Sequence, residues 1–146
     1  MQDIKKNTGF TLIELVVTIA VLAIIATIAA PSFSQTIRRN QLISETRDFV
    51  DLLVETRSEA IFKQSEQVVA LDSSVTTFYK KWSPVHVTKD SGDTTVAFNR
   101  LGQSTTTDSG QCFVFKHNSD EALKLYVYVQ KAGTVLYNKM ATSCPT

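Results

Sequence analysis

The segment KKNTGFTLIELVVTIAVLAIIATIAAPSF, residues 5–33, decides the fold because it is a long apolar run that carries a single acid, Glu14. Residues 10–30 hold 17 residues of the Ala, Val, Ile, Leu and Phe types among 21. A helix rises about 1.5 Å per residue, so 21 residues extend roughly 31 Å, which matches the hydrocarbon thickness of a bilayer. The run therefore predicts a helix that can cross a membrane.

The charges around this run predict its orientation. Lys5 and Lys6 precede it, and no cation follows it until Arg38 and Arg39. The excess of cations on the cytoplasmic side of membrane helices places the short amino end in the cytoplasm, although the two arginines reduce the asymmetry. No second stretch approaches 18 apolar residues, so we expect a single-pass anchor with one globular head.

The remaining composition excludes several classes of function. The chain of 146 residues has 15 basic and 14 acidic side chains, so its charge does not call for a polyanionic partner. It contains no G-x-S-x-G, H-E-x-x-H, P-loop or G-x-G-x-x-G pattern. We therefore expect no enzyme, no cofactor and no metal site, with surface or packing roles for His86 and His117.

Helical periodicity continues beyond the apolar run. Apolar residues recur at spacings of three, four and seven from Leu42 to Ile61, with charged residues between them. One helix from about 11 to 64 is the simplest interpretation, and its carboxyl half would bury one face against the head. Proline removes a helical hydrogen bond, and its ring clashes with the carbonyl group one turn earlier in the helix. Pro31 therefore predicts a bend near residues 26–31.

After Gln64 the period changes to that of short strands separated by turn residues. An α+β fold follows, in which the long helix packs on a head of antiparallel strands, with Trp82 as a core anchor. The predicted strands are Val68–Leu71, Thr76–Trp82, Val85–Thr88, Thr94–Asn99, Cys112–Lys116, Leu123–Val129 and Thr134–Tyr137.

Cys112 and Cys144 are the only cysteines, and both fall in the head. An isolated pair outside the cytoplasm most often forms a disulfide, which would tie the last residues back to the sheet. Free thiols are the alternative. A metal site would need nearby ligands at finger-like spacing, which His86 and His117 do not supply.

Two simpler interpretations of residues 1–30 exist. A secretory signal peptide has a shorter apolar region that ends in a small-residue cleavage site. A plain signal anchor explains the length but leaves Glu14 unexplained, because a carboxylate at the centre of a membrane helix costs about 2.5 to 3.5 kcal/mol on insertion scales.

The motif Gly9-Phe10-Thr11-Leu12-Ile13-Glu14, preceded by Lys5-Lys6 and followed by an apolar helix with Pro31, resembles the class III signal of type IV pilins and type II secretion pseudopilins. The resemblance implies that a prepilin peptidase cuts after Gly9 and that Phe10 becomes the N-methylated first residue. It divides the chain into a leader (1–9), a transmembrane or filament-core helix (10–30), an amphipathic half (31–64) and a β-rich head (65–146).

The same resemblance suggests a role for Glu14. Cleavage creates an ammonium at Phe10, one helical turn from the Glu14 carboxylate. Neither charge is tolerated alone in a membrane. Phe10 and Glu14 are four residues apart, a spacing that allows partial pairing of the two charges within one chain. In the family's assembly model the acid pairs instead with the Phe ammonium of an adjacent subunit, so Glu14 would register each subunit in the filament.

A narrower resemblance covers most of the chain. Thr56-Arg57-Ser58-Glu59-Ala60-Ile61, followed by Val68–Leu71, Trp82 and Leu101-Gly102, is similar to the GspH/FimT/FimU group of minor pilins and pseudopilins. It implies a minor pilin that helps initiate and assemble a type IV pilus and supports motility or adhesion. The expected partners are other minor pilins, the major pilin, the prepilin peptidase, the inner-membrane assembly platform and membrane lipid. The head would lie in the periplasm until the subunit enters the fibre.

Two alternatives remain within that group. One is a type II secretion pseudopilin of the H type. The other is a DNA-binding minor pilin for natural transformation, whose Gly-Arg motif reads Gly133-Thr134 here and so lacks the arginine. Lys131 and Lys139 could contact phosphates, but without residues 1–9 the side-chain charges balance, so DNA is disfavoured.

Overall fold

A computed structural model of the chain describes residues 9–106 and 109–144. One helix, α1, runs from Leu12 to Lys63. The chain divides into two compact units, Met1–Thr36 and Ile37–Thr146, and α1 contributes to both. The helix predicted over residues 11–64 is confirmed, and each of its ends differs from the prediction by one residue. The side chain of Pro31 lies outside the described residues, and the bend near it stays a prediction.

The carboxyl end of α1 is closed by its own backbone rather than by a glycine or proline. Gln64 adopts the left-handed conformation at φ 53°. Its N–H donates to the carbonyl of Ile61 at 3.4 Å, and the N–H of Ser65 donates to that of Ala60 at 3.3 Å. These two bonds are those of a Schellman motif, which satisfies carbonyls that a helix end leaves open.

In its described residues the head contains seven strands in two sheets. The strands are β1 (Gln67–Ala70), β2 (Lys80–Lys81), β3 (Val87–Ser91), β4 (Thr95–Phe98), β5 (Gln111–His117), β6 (Asp120–Val129) and β7 (Val135–Tyr137). The first sheet has the order β2-β1-β4, and the second has the order β3-β5-β6-β7. The predicted head of antiparallel strands is confirmed: among the described strands, only the pairing of β1 with β2 is parallel.

Two predicted segments differ from the observed strands. The segment Thr76–Trp82 forms strand pairs only at Lys80 and Lys81. Trp82 is buried in the core, and its N–H still donates to the carbonyl of Ala70 at 2.9 Å. β3 continues to Ser91, beyond the predicted strand Val85–Thr88, with a shift of register between Lys89 and Ser91. At such a β-bulge the extra residue, here Asp90, is left unpaired and the strand bends locally.

The core of the head centres on Phe49 of α1. Its ring lies 5.4 Å from that of Trp82, 5.5 Å from Phe113 and 5.0 Å from Phe115, between centroids. The second sheet adds alternate residues of β5 and β6, as expected for a sheet with one buried face. Trp82 is therefore the core anchor that the sequence predicted, whereas Ile61, predicted on the buried face, is 42% exposed.

The two histidines bind α1 to the loops of the head. His117 is buried; its Nδ1 accepts from the N–H of Ser119, so Nε2 carries the proton and donates to Gln41 Oε1 at 3.1 Å. The Glu45 carboxylate accepts from the backbone N–H groups of Val85 and His86 and contacts His86 Nδ1 at 2.8 Å. Both histidines have packing roles in the described part of the chain.

Candidate processing and assembly segment

The predicted cleavage point precedes α1 and is open to its surroundings. Gly9 and Phe10 come before the first helical turn, and Phe10 is 88% exposed. A Cβ added at Gly9 would meet nothing within 4 Å, and Gly9 has no positive φ. The fold of the described residues therefore does not require glycine at this position. Residues 1–8 of the predicted leader lie outside the described residues.

Thr11 caps the amino end of α1. Its Oγ1 accepts from the N–H of Glu14 at 3.2 Å, and its carbonyl accepts from the N–H of Leu15 at 3.2 Å. This satisfies an N–H that the first helical turn otherwise leaves open, which is costly in lipid. Thr11 and Glu14 have the T-x-x-E spacing of a capping box, which is the signal of this role in the sequence.

The other hydroxyls of the apolar segment are satisfied within the helix. Thr18 donates to the carbonyl of Leu15 at 2.8 Å, and Thr27 donates to that of Ile24 at 2.7 Å. By contrast, within the described part of the chain the carboxylate of Glu14 has no hydrogen-bond or ion-pair partner. Glu14 thus differs from the two threonines in that its side chain has no partner among the described residues.

The apolar side chains around Glu14 are exposed over much of their surface. Leu12 is 81% exposed, Ile13 66% and Leu15 62%. α1 contains a stretch long and apolar enough to cross a membrane, and none of that stretch is buried within the structure. A surface of this kind has to be covered by lipid or by other apolar helices.

Arg57 ties α1 to two turns of the head. Its Nε donates to the carbonyl of Gly102 at 2.9 Å, and its Nη2 approaches that of Ala132 at 3.4 Å. Gly102 and Gly133 have φ angles of 74° and 82°, and a Cβ on either would press on Arg57. Arg57 therefore has a structural role near the carboxyl end of α1.

The two lysines considered for DNA lie on different segments. Lys131 is in the turn after β6, and Lys139 is in the segment after β7; both are exposed. Gly133, beside Lys131, is buried against the turn at Gly102. No group of three or more metal-ligating side chains occurs in residues 9–106 and 109–144.

Cys112 on β5 and Cys144 near the carboxyl end are joined by a disulfide, with Cα atoms 6.1 Å apart. The bridge fastens the segment after β7 to the second sheet. Replacing both cysteines with alanine should lower the free energy of unfolding by about 3 to 4 kcal/mol, because the closed loop restricts the unfolded chain.

Urea unfolding of the full chain in detergent, followed by the fluorescence of the only tryptophan, Trp82, measures this loss. Reduction of the unmodified protein serves as the control and should give the same decrease. A double variant as stable as the oxidised protein would show that the bridge adds nothing.

The amino-terminal segment and the fold of this chain both resemble those of known proteins. Residues 4–30 match the family described as "Prokaryotic N-terminal methylation motif". The structure is also similar to crystal structures of the type IV minor pilin FimU of Pseudomonas aeruginosa strain PAO1. One crystal form matches at 16% identity and a TM-score of 0.53, over 68% of this chain and 90% of FimU. A second crystal form gives 16% identity, a TM-score of 0.49, and 66% and 92% coverage.

The chain therefore has an amino-terminal methylation motif and a head with the fold of the minor pilin FimU. The matched residues include the cap at Thr11, the acid at Glu14 and most of the apolar stretch of α1. A methylation motif on a long apolar helix fits a membrane-anchored protein.

Proposed function

We propose that this chain is a minor pilin that helps to initiate and assemble a type IV pilus. A peptidase cuts after Gly9, Phe10 becomes the N-methylated first residue, and the stem is held in the inner membrane with the head in the periplasm. Motility or adhesion through the pilus follows from this role. The similarity of the fold to that of the minor pilin FimU supports the subtype.

The unpartnered carboxylate of Glu14 carries the proposal. It lies one helical turn after the residue that cleavage would convert into an ammonium, and it is surrounded by exposed apolar side chains. A lone carboxylate in lipid is unfavourable, whereas a carboxylate that meets the ammonium of a neighbouring subunit is paired. The stem is therefore satisfied best when it packs against other stems.

Deletion of the gene tests this function against a role in secretion. We expect surface pili and twitching motility to fall, because fewer filaments are started, while enzymes secreted by a type II system stay at normal levels. Restoring the gene should recover both properties. Normal pili together with a defect in secreted enzymes would contradict the proposal and favour a pseudopilin.

A further inference from the structure

A pocket of about 250 Å³ opens between α1 and the carboxyl-terminal segment of the head. All of its lining residues belong to the compact unit Ile37–Thr146. They come from α1, from residues 122–125 of β6 and from residues 139–142 after β7. The apolar part of the lining consists mainly of Leu42, Ile43, Leu123, Leu125 and Met140.

In the described residues this pocket is lined by three cations and by no acid. The cations are Arg39, Lys124 and Lys139. The Lys124 ammonium donates to Asp90 at 2.6 Å, and this hydrogen bond raises the pKa of Lys124 above its usual value. By contrast, the exposed Arg39 and Lys139 have no hydrogen-bond or ion-pair partner in the described part of the chain. The pocket therefore presents two unpaired positive charges beside an apolar surface.

This concentration of cations is local to the pocket. Without residues 1–9 the side-chain charges of the chain balance. The larger groove beside Trp82, of about 580 Å³, is lined in the described residues by four carboxylates and one lysine. A general excess of positive charge therefore does not explain the pocket, whose chemistry is complementary to an anion that has an apolar part.

The pocket lies near the membrane-spanning stretch along the chain. The apolar run ends at residue 30, and Arg39 follows nine residues later in the same helix. Nine helical residues extend about 13 Å, and the polar headgroup layer on each side of a bilayer is about 5 to 8 Å deep. Long basic side chains near the end of a membrane helix reach toward this layer. Arg39 is therefore close enough along the chain to meet lipid phosphate groups.

An anionic phospholipid combines the two chemistries that the pocket offers. Its phosphate can accept charge-assisted hydrogen bonds from a guanidinium and an ammonium, and its glycerol and first acyl carbons can cover apolar side chains. Inorganic phosphate and the backbone of DNA supply only the charge. The volume is also below the roughly 300 to 1,000 Å³ of sites that enclose a drug-sized molecule, which suits a headgroup whose chains remain in the bilayer.

We propose that this pocket binds the headgroup of an anionic phospholipid such as phosphatidylglycerol, with Arg39 and Lys139 on its phosphate and Met140 against its glycerol. The head as well as the stem then contacts the membrane. The inference rests on the membrane anchoring in the proposed function, but it needs neither cleavage at Gly9 nor a pilus.

Native mass spectrometry of the full chain in a non-ionic detergent tests the site. The chain is titrated with phosphatidylglycerol or with phosphatidylcholine of the same acyl chains, and the fraction of chains that carry one lipid gives each dissociation constant. We expect phosphatidylglycerol to bind at least about tenfold more tightly, since each Lys or Arg near an anionic lipid contributes a factor of about five. Equal binding of the two lipids would overturn the proposal.

A pair of double variants provides the matched control. Arg39→Gln with Lys139→Gln removes the two unpaired charges and should weaken the binding of phosphatidylglycerol at least about tenfold. Arg100→Gln with Lys131→Gln removes the same residue types beside the turns that bind Arg57, which lies 18 residues after Arg39 in α1, and should keep the preference. Equal losses in the two double variants would mean that net charge, rather than this pocket, attracts the lipid.

Soluble competitors separate the lipid from other sources of phosphate. Glycerol 3-phosphate and a short DNA duplex, each at the same concentration as the lipid, should not displace phosphatidylglycerol, because they lack its apolar part. Displacement by either competitor would overturn the assignment to a lipid.

Photocrosslinking in nanodiscs separates this inference from the proposed function. The probe is p-benzoyl-phenylalanine in place of Met140, which is 81% exposed and lines the pocket. In nanodiscs that contain phosphatidylglycerol we expect a peptide that has gained the mass of one lipid. A chain that stays in the nanodisc without this crosslink would refute the lipid site and keep the membrane anchor, and a chain that does not stay there would contradict both. A chain that crosslinks, while its deletion leaves pili unchanged, would contradict the pilus function alone.

Discussion

Replacing Gly133 with alanine is expected to destabilise the head by about 3 to 5 kcal/mol, the sum of the strain of a left-handed non-glycine residue and a lost hydrogen bond to a charged group. Gly133 has a φ of 82°, and an added Cβ would overlap the carbonyl oxygen of Gly102 and lie 2.9 Å from Arg57 Nε. The two turns would have to separate, and Arg57 would lose the carbonyl that it binds at 2.9 Å.

Thermal unfolding of the full chain in detergent, followed by Trp82 fluorescence, should show the midpoint falling by roughly 12 °C or more, since each kcal/mol shifts a domain of this size by about 4 to 8 °C. Thr134→Ala, at the exposed neighbouring position, is the control and should leave the midpoint unchanged. A Gly133→Ala protein that melts within a few degrees of the control would mean that the two turns separate without cost.

Substitution of Glu14 should have the largest effect on function. Glu14→Ala and the shape-preserving Glu14→Gln should both be cleaved after Gly9, because the residues beside the cleaved bond are unchanged. Both should enter filaments at least about tenfold less, because the Phe10 ammonium of the neighbouring subunit would lose its partner. An unpaired charge at bilayer depth costs about 2.5 to 3.5 kcal/mol, and 1.4 kcal/mol corresponds to tenfold. Glu14→Gln separates charge from helix capping, because glutamine can still occupy the third position of the capping box.

Quantitative mass spectrometry of sheared filaments measures the incorporation, and immunoblotting of membranes measures cleavage. Thr18→Val is the matched control: it removes a hydroxyl that bonds within the helix, so incorporation should stay close to normal. If the Glu14→Gln subunit entered filaments as well as the unmodified chain, the pairing role of Glu14 would be wrong.

The stem could be predicted from the sequence more completely than the head. Helix α1 could be predicted almost to its ends because its signals are local: an apolar run, a helical period and a change of period after Gln64. The pairing of Cys112 with Cys144 could be predicted because no other cysteine competes. The T-x-x-E cap at Thr11 was equally local and could have been read from the sequence.

The pairing of the strands in the two sheets of the head was less predictable. Seven strands were expected and seven occur in the described residues, but the periodicity of a strand does not say which neighbour it pairs with. β2 pairs in parallel with β1, and the adjoining Trp82 packs 4.8 Å from Phe115 between ring centroids. That contact joins residues far apart in the chain, so no local pattern contains it.

The sequence by itself therefore determined the stem: the cleavage motif, the apolar helix and the acid at Glu14 follow from residues adjacent in the chain. Only the tertiary structure decided how the head is held together and what it exposes. Arg57 bonds to residues 45 and 75 positions away, and Glu45 and Glu55 bind residues 40 and 25 positions away. The physical reason is that such contacts are set by the packing of distant segments, which the order of residues along one helix does not encode.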